Sequence, residues 1–351
     1  MNTDPLRTQR IRTYLAAAVL FLLGCAAGYL LRDLGTGRQQ RTVTEQHQSG
    51  WQFINPLLEC EQASDTFENQ LLRPIKRPIE DIIARRIEQK LADKVDVYFR
   101  ALYDGPWFAI GDPDKFHPAS LLKVPLMMAV LKQADRDPAF LNRKVRLDGA
   151  DLDRLPNPVT KPLQPGRAYT VDELLRQMIV YSDNVATFVL GNTVDLDTLA
   201  RTYLDLALVN PYTRQGDPPL VIASPSYEIS IRSYAKFFRI LYNASYLSKD
   251  MSEKALRLLA ETDFKAGLVA GVPPAVKVAH KWGVHLSGER QQVKQLHDCG
   301  IVYYPGHPYL LCVMTQGAST ELLDDAISLV SRAVYESIDR QHQEPLEPAA
   351  P

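Results

Sequence analysis

The sequence has almost no net charge, with 40 Lys and Arg residues against 41 Asp and Glu residues. Nucleic-acid-binding proteins normally carry a basic stripe or a clear positive excess. We therefore predict no nucleic-acid partner.

Cysteine is scarce, with four residues among 351, at positions 25, 60, 299 and 312. No two of them stand at the C-x-x-C spacing that zinc sites use. We therefore predict no metal and no cofactor. Cys299 and Cys312 fall on two strands of a predicted hairpin, and we expect core thiols there. Cys60 could form a disulfide if it faces an oxidising compartment.

Charged residues are absent from one long stretch, residues 13–31. A helix of about 20 apolar residues spans the hydrocarbon core of a bilayer, so we predict a transmembrane helix here. Arginines flank both ends, so the positive-inside rule decides the orientation only weakly. Two alternatives stay open. One is a cleaved signal peptide, although no A-x-A site follows the stretch. The other is a lipoprotein signal with Cys25 as the lipidated residue.

The rest of the sequence changes character twice. We interpret the polar segment after residue 31 as a stalk with a short ordered patch at Trp51–Cys60. The C-terminal end is rich in Pro, Glu and Ala, and we predict that it is disordered. The predicted division is a tail at 1–12, an anchor at 13–31, a stalk at 32–77, one globular domain at 78–340 and a disordered tail at 341–351.

The globular segment combines helix and strand patterns. Apolar residues three and four apart from Ile79 to Leu91 predict a helix, and two strands follow around a turn at 103–106. A long helical block occupies the middle, and a hairpin and a last helix, Thr320–Ile338, close the segment. This order predicts an α+β fold, with an antiparallel sheet built from both chain ends and an all-helical middle.

A serine and a lysine stand three residues apart where the most apolar helix begins. Ser120 opens the motif S-L-L-K, and Lys123 closes it. Residues i and i+3 share a helix face, and burial lowers a lysine pKa, so Lys123 could take the serine proton. The alternative is a serine cap with a surface lysine. The following helix is apolar on every face, which favours the functional interpretation because a solvated charge is poorly placed there.

Two further motifs carry polar groups between apolar elements. Ser182-Asp183-Asn184 could relay a proton and hold a substrate amide, or it could simply cap the next helix. Lys281-Trp282-Gly283 lies on a predicted strand, where a glycine permits close approach by a ligand and the lysine could face a carboxylate. The alternative is an ordinary strand with a snorkelling lysine.

Together the three motifs resemble the class A β-lactamases and their penicillin-binding relatives, whose signatures are S-x-x-K, S-D-N and K-T-G. The resemblance covers about residues 78–340. It implies a β-lactamase-like fold, in which a five-stranded antiparallel sheet is flanked by helices and the site lies between the sheet and a separate helical lobe.

The resemblance also implies roles for individual residues. Ser120 would be the nucleophile and Lys123 its base, and Ser182 would pass a proton to the leaving nitrogen. Lys281 would attract the substrate carboxylate and support Ser182. The substrate-binding residues would be Asn184, Trp282 and Gly283, and the oxyanion hole would be the backbone N–H groups of Ser120 and Val284.

Two features depart from the family pattern. Trp282 stands where the family has a hydroxyl residue, and an indole cannot replace that hydroxyl. His280 and His285 flank the motif and could supply the missing donor, or they could be ordinary strand residues. The loop at 209–222 has no glutamate, whereas class A enzymes use a loop glutamate to activate the deacylating water. Its only carboxylate is Asp217, so we expect acylation but doubt rapid deacylation.

The resulting hypothesis is an acyl-serine hydrolase that reacts with β-lactams or D-alanyl peptides. It would be a single-pass protein of the bacterial cytoplasmic membrane with its catalytic domain outside the cytoplasm. The alternative is a non-catalytic module that binds a cell-wall peptide or a protein partner on the same fold. The sequence does not specify an oligomeric state.

Overall fold

The computed structural model describes residues 45–47, 50–60, 72–103, 105–111, 115–149, 157, 159–208, 227–289 and 291–343. The predicted transmembrane segment, 13–31, lies outside these residues. Among the described residues, no helix combines the length and the apolar character that a membrane span requires.

Eight α-helices and nine strands make up the described part of the chain. The helices are α1 Arg73–Glu88, α2 Lys123–Arg136, α3 Val171–Val180, α4 Asn184–Thr193, α5 Leu196–Asp205, α6 Ile231–Tyr242, α7 Lys249–Ala260 and α8 Thr320–Gln343. The strands are β1 Glu45–His47, β2 Leu57–Cys60, β3 Lys94–Ala101, β4 Trp107–Ile110, β5 Lys144–Arg146, β6 Ala168–Thr170, β7 Val278–Ser287, β8 Val293–Val302 and β9 Tyr309–Gly317.

Five strands form one sheet in the order β4-β3-β9-β8-β7, and every neighbouring pair is antiparallel. Two strands come from the N-terminal part of the domain and three from the C-terminal part, which confirms the predicted five-stranded sheet. Strand β7, which carries the third motif, lies at one edge of it.

The two faces of this sheet pack against different layers, because successive strand residues point to opposite sides. On the outer face, Val97 and Val313 pack with residues of α1 and α8. On the inner face, Tyr98 and Met314 pack with the middle helices, for example at Phe238 of α6. The inner face is therefore the side that meets the helical block.

Helix α2 is the centre of that block. Every side chain from Lys123 to Leu131 is buried, as its uniform apolar pattern predicts. The block is not wholly helical, which corrects the sequence-based expectation. Strands β5 and β6 pair there, with Val145 opposite Tyr169. Three-residue strands are too short for a period of two to be recognised in a sequence.

The domain boundaries also differ from the prediction. Helix α1 begins at Arg73 rather than near Pro78, and Pro74 in its first turn is compatible with that start. Phe53 and Ile54, assigned to the stalk, are buried in the core. At the other end, α8 continues to Gln343, past the predicted start of the disordered tail. Part of the predicted stalk is thus part of the domain.

The expectation for Cys299 and Cys312 is wrong, because the structure joins them in a disulfide. They are direct partners in the register of β8 and β9, and their Cα atoms are 4.0 Å apart. Which residues of two predicted strands stand opposite each other depends on the register, and a shift of one residue would separate the two cysteines.

One buried carboxylate holds residues 52–54 to the domain. Glu253 of α7 accepts backbone N–H hydrogen bonds from Gln52, Phe53 and Ile54 at 3.3, 2.9 and 3.0 Å. The hydroxyl of Tyr303 donates to the Phe53 carbonyl at 2.9 Å. These contacts give a segment without regular structure a fixed place on the protein.

We predict that Glu253→Ala lowers the free energy of unfolding by about 1–3 kcal/mol, because it leaves buried N–H groups without acceptors. Glu253→Gln keeps an acceptor oxygen and should lose less. Thermal unfolding measures the difference, and proteolysis should cut near residue 53 faster in the alanine variant. Equal stability of the alanine variant and the wild type would contradict this assignment.

Candidate active site

Ser120 lies in a short 3₁₀ helix, Ala119–Leu122, immediately before α2. The backbone N–H of Lys123 donates to the Ser120 carbonyl, a bond of the i to i+3 type. Residues three apart eclipse each other in a 3₁₀ helix, so both side chains share one face. Ala119 has a φ of +48°, which is an unusual conformation for a residue with a side chain.

The amine of Lys123 is enclosed by the second motif. Its side chain is 4% exposed. Its Nζ donates to the Ser182 carbonyl, to Asn184 Oδ1 at 2.8 Å and to Ser182 Oγ at 3.2 Å. The lysine is therefore a buried amine with three oxygen acceptors rather than a surface charge.

The second motif has both of the roles considered from the sequence. Asp183 is buried and caps α4, since its carboxylate accepts the Ala186 N–H at 2.8 Å. Ser182 has a φ of +58° and, with Asn184, presents its polar atoms to Lys123. Helix capping by the middle residue thus orients its two neighbours toward the amine.

The third motif reaches the same point from β7. Lys281 is fully buried, and its Nζ donates to Ser182 Oγ at 2.9 Å and to the Trp282 carbonyl at 2.9 Å. Ser182 Oγ is therefore within hydrogen-bond distance of two lysine amines. The structure brings together the polar atoms of Lys123, Ser182, Asn184 and Lys281.

Burial weakens the basicity of both lysines, and the charge of Lys281 adds to this effect at Lys123. Burial lowers the pKa of Lys123 well below its usual range, the Lys281 charge lowers it further, and Asp183 partly opposes the shift. Burial also lowers the pKa of Lys281, to about 7, against the attraction of Asp298 and Asp263. Both lysines therefore lose their proton at a pH far below the usual pKa of lysine.

Gly283 permits the close approach of β7 to the backbone at Ser120. A Cβ atom added at Gly283 would lie 3.0 Å from the Ser120 nitrogen and 3.2 Å from the Leu121 nitrogen. The Val284 N–H follows directly in the strand. The predicted oxyanion-hole pair, Ser120 and Val284, thus comes from two backbone segments in near contact.

Trp282 is a predicted site residue whose indole makes no hydrogen bond in this cluster, although its ring centroid lies 5.2 Å from Lys281 Nζ. Its ring stacks on Phe264 at 4.5 Å on the outer face of the sheet. There it lines, with Val284, a cavity of about 510 Å³. The alternation of β7 turns residue 282 away from the face that carries Lys281 and Gly283. The expectation that Trp282 binds substrate is therefore not supported by its position.

Asn157 and His117 are contact residues at the site that the sequence did not indicate, whereas His280, His285 and Asp217 were considered. Asn157 Oδ1 accepts the Asn184 N–H at 2.7 Å, and nothing in the sequence around residue 157 indicates this. His285 stacks on His117 with ring centroids 3.8 Å apart, whereas His280 faces the other way and pairs with Asp298. Asp217 lies outside the described residues.

Comparison with protein-family models identifies this architecture. The model of the beta-lactamase enzyme family matches residues 75–338, which is more than half of the chain. The chain belongs to the beta-lactamase enzyme family. A comparison with curated protein sequences finds no significant match.

Solved structures share the fold at low sequence identity. PBP-A is 22% identical, with a TM-score of 0.63, and the match covers 76% of this chain and 97% of PBP-A. A PBP-A variant solved as an acyl-enzyme complex with penicillin G is 23% identical, with a TM-score of 0.62 and coverage of 78% and 98%. A class A β-lactamase representative from Bacteroides cellulosilyticus is 20% identical, with a TM-score of 0.62 and coverage of 76% and 99%.

We predict that Gly283→Ala slows reaction at Ser120 by about 100-fold, because the added methyl group would lie 3.0 Å from the Ser120 nitrogen and displace the backbone that carries Ser120. Gly306→Ala is the matched control, since Gly306 also lies in a β-hairpin region but has open space around it. Its own cost should be confined to stability, because its φ is positive. The measurement is the acylation rate with a reactive β-lactam. An unchanged rate in Gly283→Ala would contradict the close contact.

Proposed function

We propose that the chain is a serine hydrolase in which Ser120 is acylated by β-lactams or D-alanyl peptides. The observation that carries the proposal is the hydroxyl of Ser182 placed between the amines of Lys123 and Lys281. The alternative interpretations were a helix cap and a lysine that extends to solvent. Neither requires a buried amine, so they do not explain why both lysines are buried around Ser182.

Acylation begins with Lys123 in its neutral form. Its Nζ takes the proton of Ser120 Oγ, and Oγ attacks the carbonyl carbon of the substrate. The negative oxygen that forms is stabilised by the N–H groups of Ser120 and Val284. When the C–N bond breaks, Ser182 Oγ gives its proton to the leaving nitrogen and recovers one from the protonated Lys123. The step leaves an acyl-serine and an amine, which departs from a D-alanyl peptide and stays attached to the opened ring of a β-lactam.

Substrate binding uses groups on both sides of Ser120. Asn184 offers an amide to the substrate amide, and the charged Lys281 attracts the substrate carboxylate. The hydroxyl that usually assists this lysine in the family is absent, because position 282 is a tryptophan. We therefore expect weaker recognition of the carboxylate than in class A β-lactamases.

Deacylation is the slow step in this proposal. The loop at 209–222 contains no glutamate, and Asp217 has a side chain one methylene shorter. Losing a positioned general base typically lowers a rate by 10²- to 10⁴-fold. The enzyme then resembles a penicillin-binding peptidase more than an efficient β-lactamase.

The location proposed from the sequence is the outer side of a bacterial cytoplasmic membrane, with residues 13–31 as the anchor. The disulfide between Cys299 and Cys312 supports this, since such bonds persist mainly in oxidising compartments.

The experiment that tests the function is labelling of the full-length chain with a fluorescent penicillin. We expect covalent label that persists after free probe is removed and that is lost in Ser120→Ala. Rapid loss of the covalent label, at the rate at which an efficient β-lactamase hydrolyses its acyl-enzyme, would contradict slow deacylation. Absence of label on the folded wild type would favour the non-catalytic binding module.

The acylation rate should depend on pH in a bell shape. It should rise with pH as Lys123 loses its proton, at a pH well below the usual pKa of lysine. It should fall as Lys281 loses its proton, near pH 7. Lys281→Arg should move the falling limb to more alkaline pH, because a guanidinium keeps its charge. A falling limb that Lys281→Arg leaves in place would contradict the role of Lys281.

A further inference from the structure

The segment that leads into Ser120 packs against strand β7 at Gly283. Phe116 pairs with Ile229 through two backbone hydrogen bonds, and the chain then passes Gly283 on its way to the 3₁₀ helix. A Cβ atom at Gly283 would lie 3.3 Å from the Pro118 carbonyl oxygen. The missing side chain therefore opens a gap in β7, and the residue of β8 opposite that gap is His297.

Two side chains of β8 bind one residue of the segment. Gln295 Oε1 accepts the His117 N–H at 3.0 Å, and His297 Nε2 donates to the His117 carbonyl at 3.1 Å. Both backbone polar groups of His117 are thus paired with side chains rather than with a strand. Gln295 and His297 are buried, so water does not compete for these bonds.

The protonation of His297 follows from its other partner. Its Nδ1 faces the backbone N–H of Thr315 at 3.3 Å and must accept there, so the ring proton is on Nε2. Burial lowers the pKa of His297 to about 3, which keeps the ring neutral with a single N–H. The imidazole therefore presents a fixed donor to His117 over the whole neutral range.

The side chain of His117 continues this chain of contacts to the nucleophile. Its Nδ1 accepts the N–H of Ala119 at 3.1 Å, next to Ser120. That bond supports the left-handed conformation of Ala119, which costs about 1–2 kcal/mol without compensation. The His117 ring is held in turn by the stacked ring of His285.

We propose that His297 is a positioning residue for acylation at Ser120. Through its hydrogen bond to His117 it fixes the backbone that carries the nucleophile and the oxyanion-hole N–H. The inference rests on the proposed function, because it assumes that Ser120 reacts. It assigns a task to a buried histidine that lies outside all three motifs.

The test compares His297→Asn with His297→Gln in the full-length chain, using the fluorescent penicillin. The amide of Gln reaches the place of Nε2, whereas that of Asn reaches only the place of Nδ1. In His297→Asn the acylation rate constant should fall about 10- to 100-fold, while the dissociation constant of the non-covalent complex changes less than about twofold. His297→Gln should recover most of the rate.

If His297 only stabilised the fold, loss of any buried hydrogen bond of similar strength would have the same effect. Ser331→Ala is the control for this alternative. Ser331 is buried on the outer side and donates to the Leu268 carbonyl at 2.7 Å, so its loss also removes one buried hydrogen bond. This variant should lose stability and keep its acylation rate. All rates are normalised to the fraction of protein that can be labelled.

Gln295→Ala removes the other half of the contact and should slow acylation in the same way, which keeps the test open if His297→Asn does not fold. A wild-type acylation rate constant in His297→Asn or in Gln295→Ala overturns the inference. So does an equal loss in the Asn and Gln variants of His297. A wild-type chain that takes no label overturns the proposed function instead, and the inference with it.

Discussion

The buried amine of Lys123 is the constraint on which the rest of the site depends. Moving an isolated ammonium group out of water is costly, so burial lowers the pKa of Lys123, whereas the oxygen acceptors around it stabilise its charged form. Those acceptors come from the second motif, whose helix cap at Asp183 points them inward. Burial lowers the pKa of this amine, and the proposed acylation requires its neutral form.

The two faces of strand β7 have different tasks: the inner face carries the residues of the site, and the outer face carries contacts that stabilise the strand. On the inner face, alternate residues of β7 supply Lys281 and then the space at Gly283. On the outer face of the same strand, His280 pairs with Asp298 and Trp282 stacks on Phe264. A change of one residue in the register of β7 would exchange these two sets. The register of the edge strand therefore matters to the site as much as the identity of its residues.

Much of this arrangement could be predicted from the sequence. Apolar periodicity located α1 and a continuous apolar run located α2, and the motifs at Ser120, Ser182 and Lys281 are close together as their resemblance implies. The direction of Trp282 was missed, because a motif is read as neighbours along the chain whereas a strand sends neighbours to opposite faces.

Other features depend on contacts between residues far apart in sequence. Asn157 reaches Asn184, Glu253 binds the backbone at residues 52–54, and His297 reaches His117 across β7. Single polar residues of this kind carry no periodic signal. The pairing of Cys299 with Cys312 likewise follows from the strand register rather than from spacing.

The most direct test of this account is the titration of Lys123 itself, followed by NMR of its side chain in the full-length protein. The signal is assigned by its loss in Lys123→Arg. The account predicts that Lys123 becomes neutral at a pH well below the usual pKa of lysine, and that the midpoint rises when Lys281 is replaced by a neutral residue, because Lys281 repels a second charge. A Lys123 side chain that keeps its charge up to the usual lysine pKa would contradict the account.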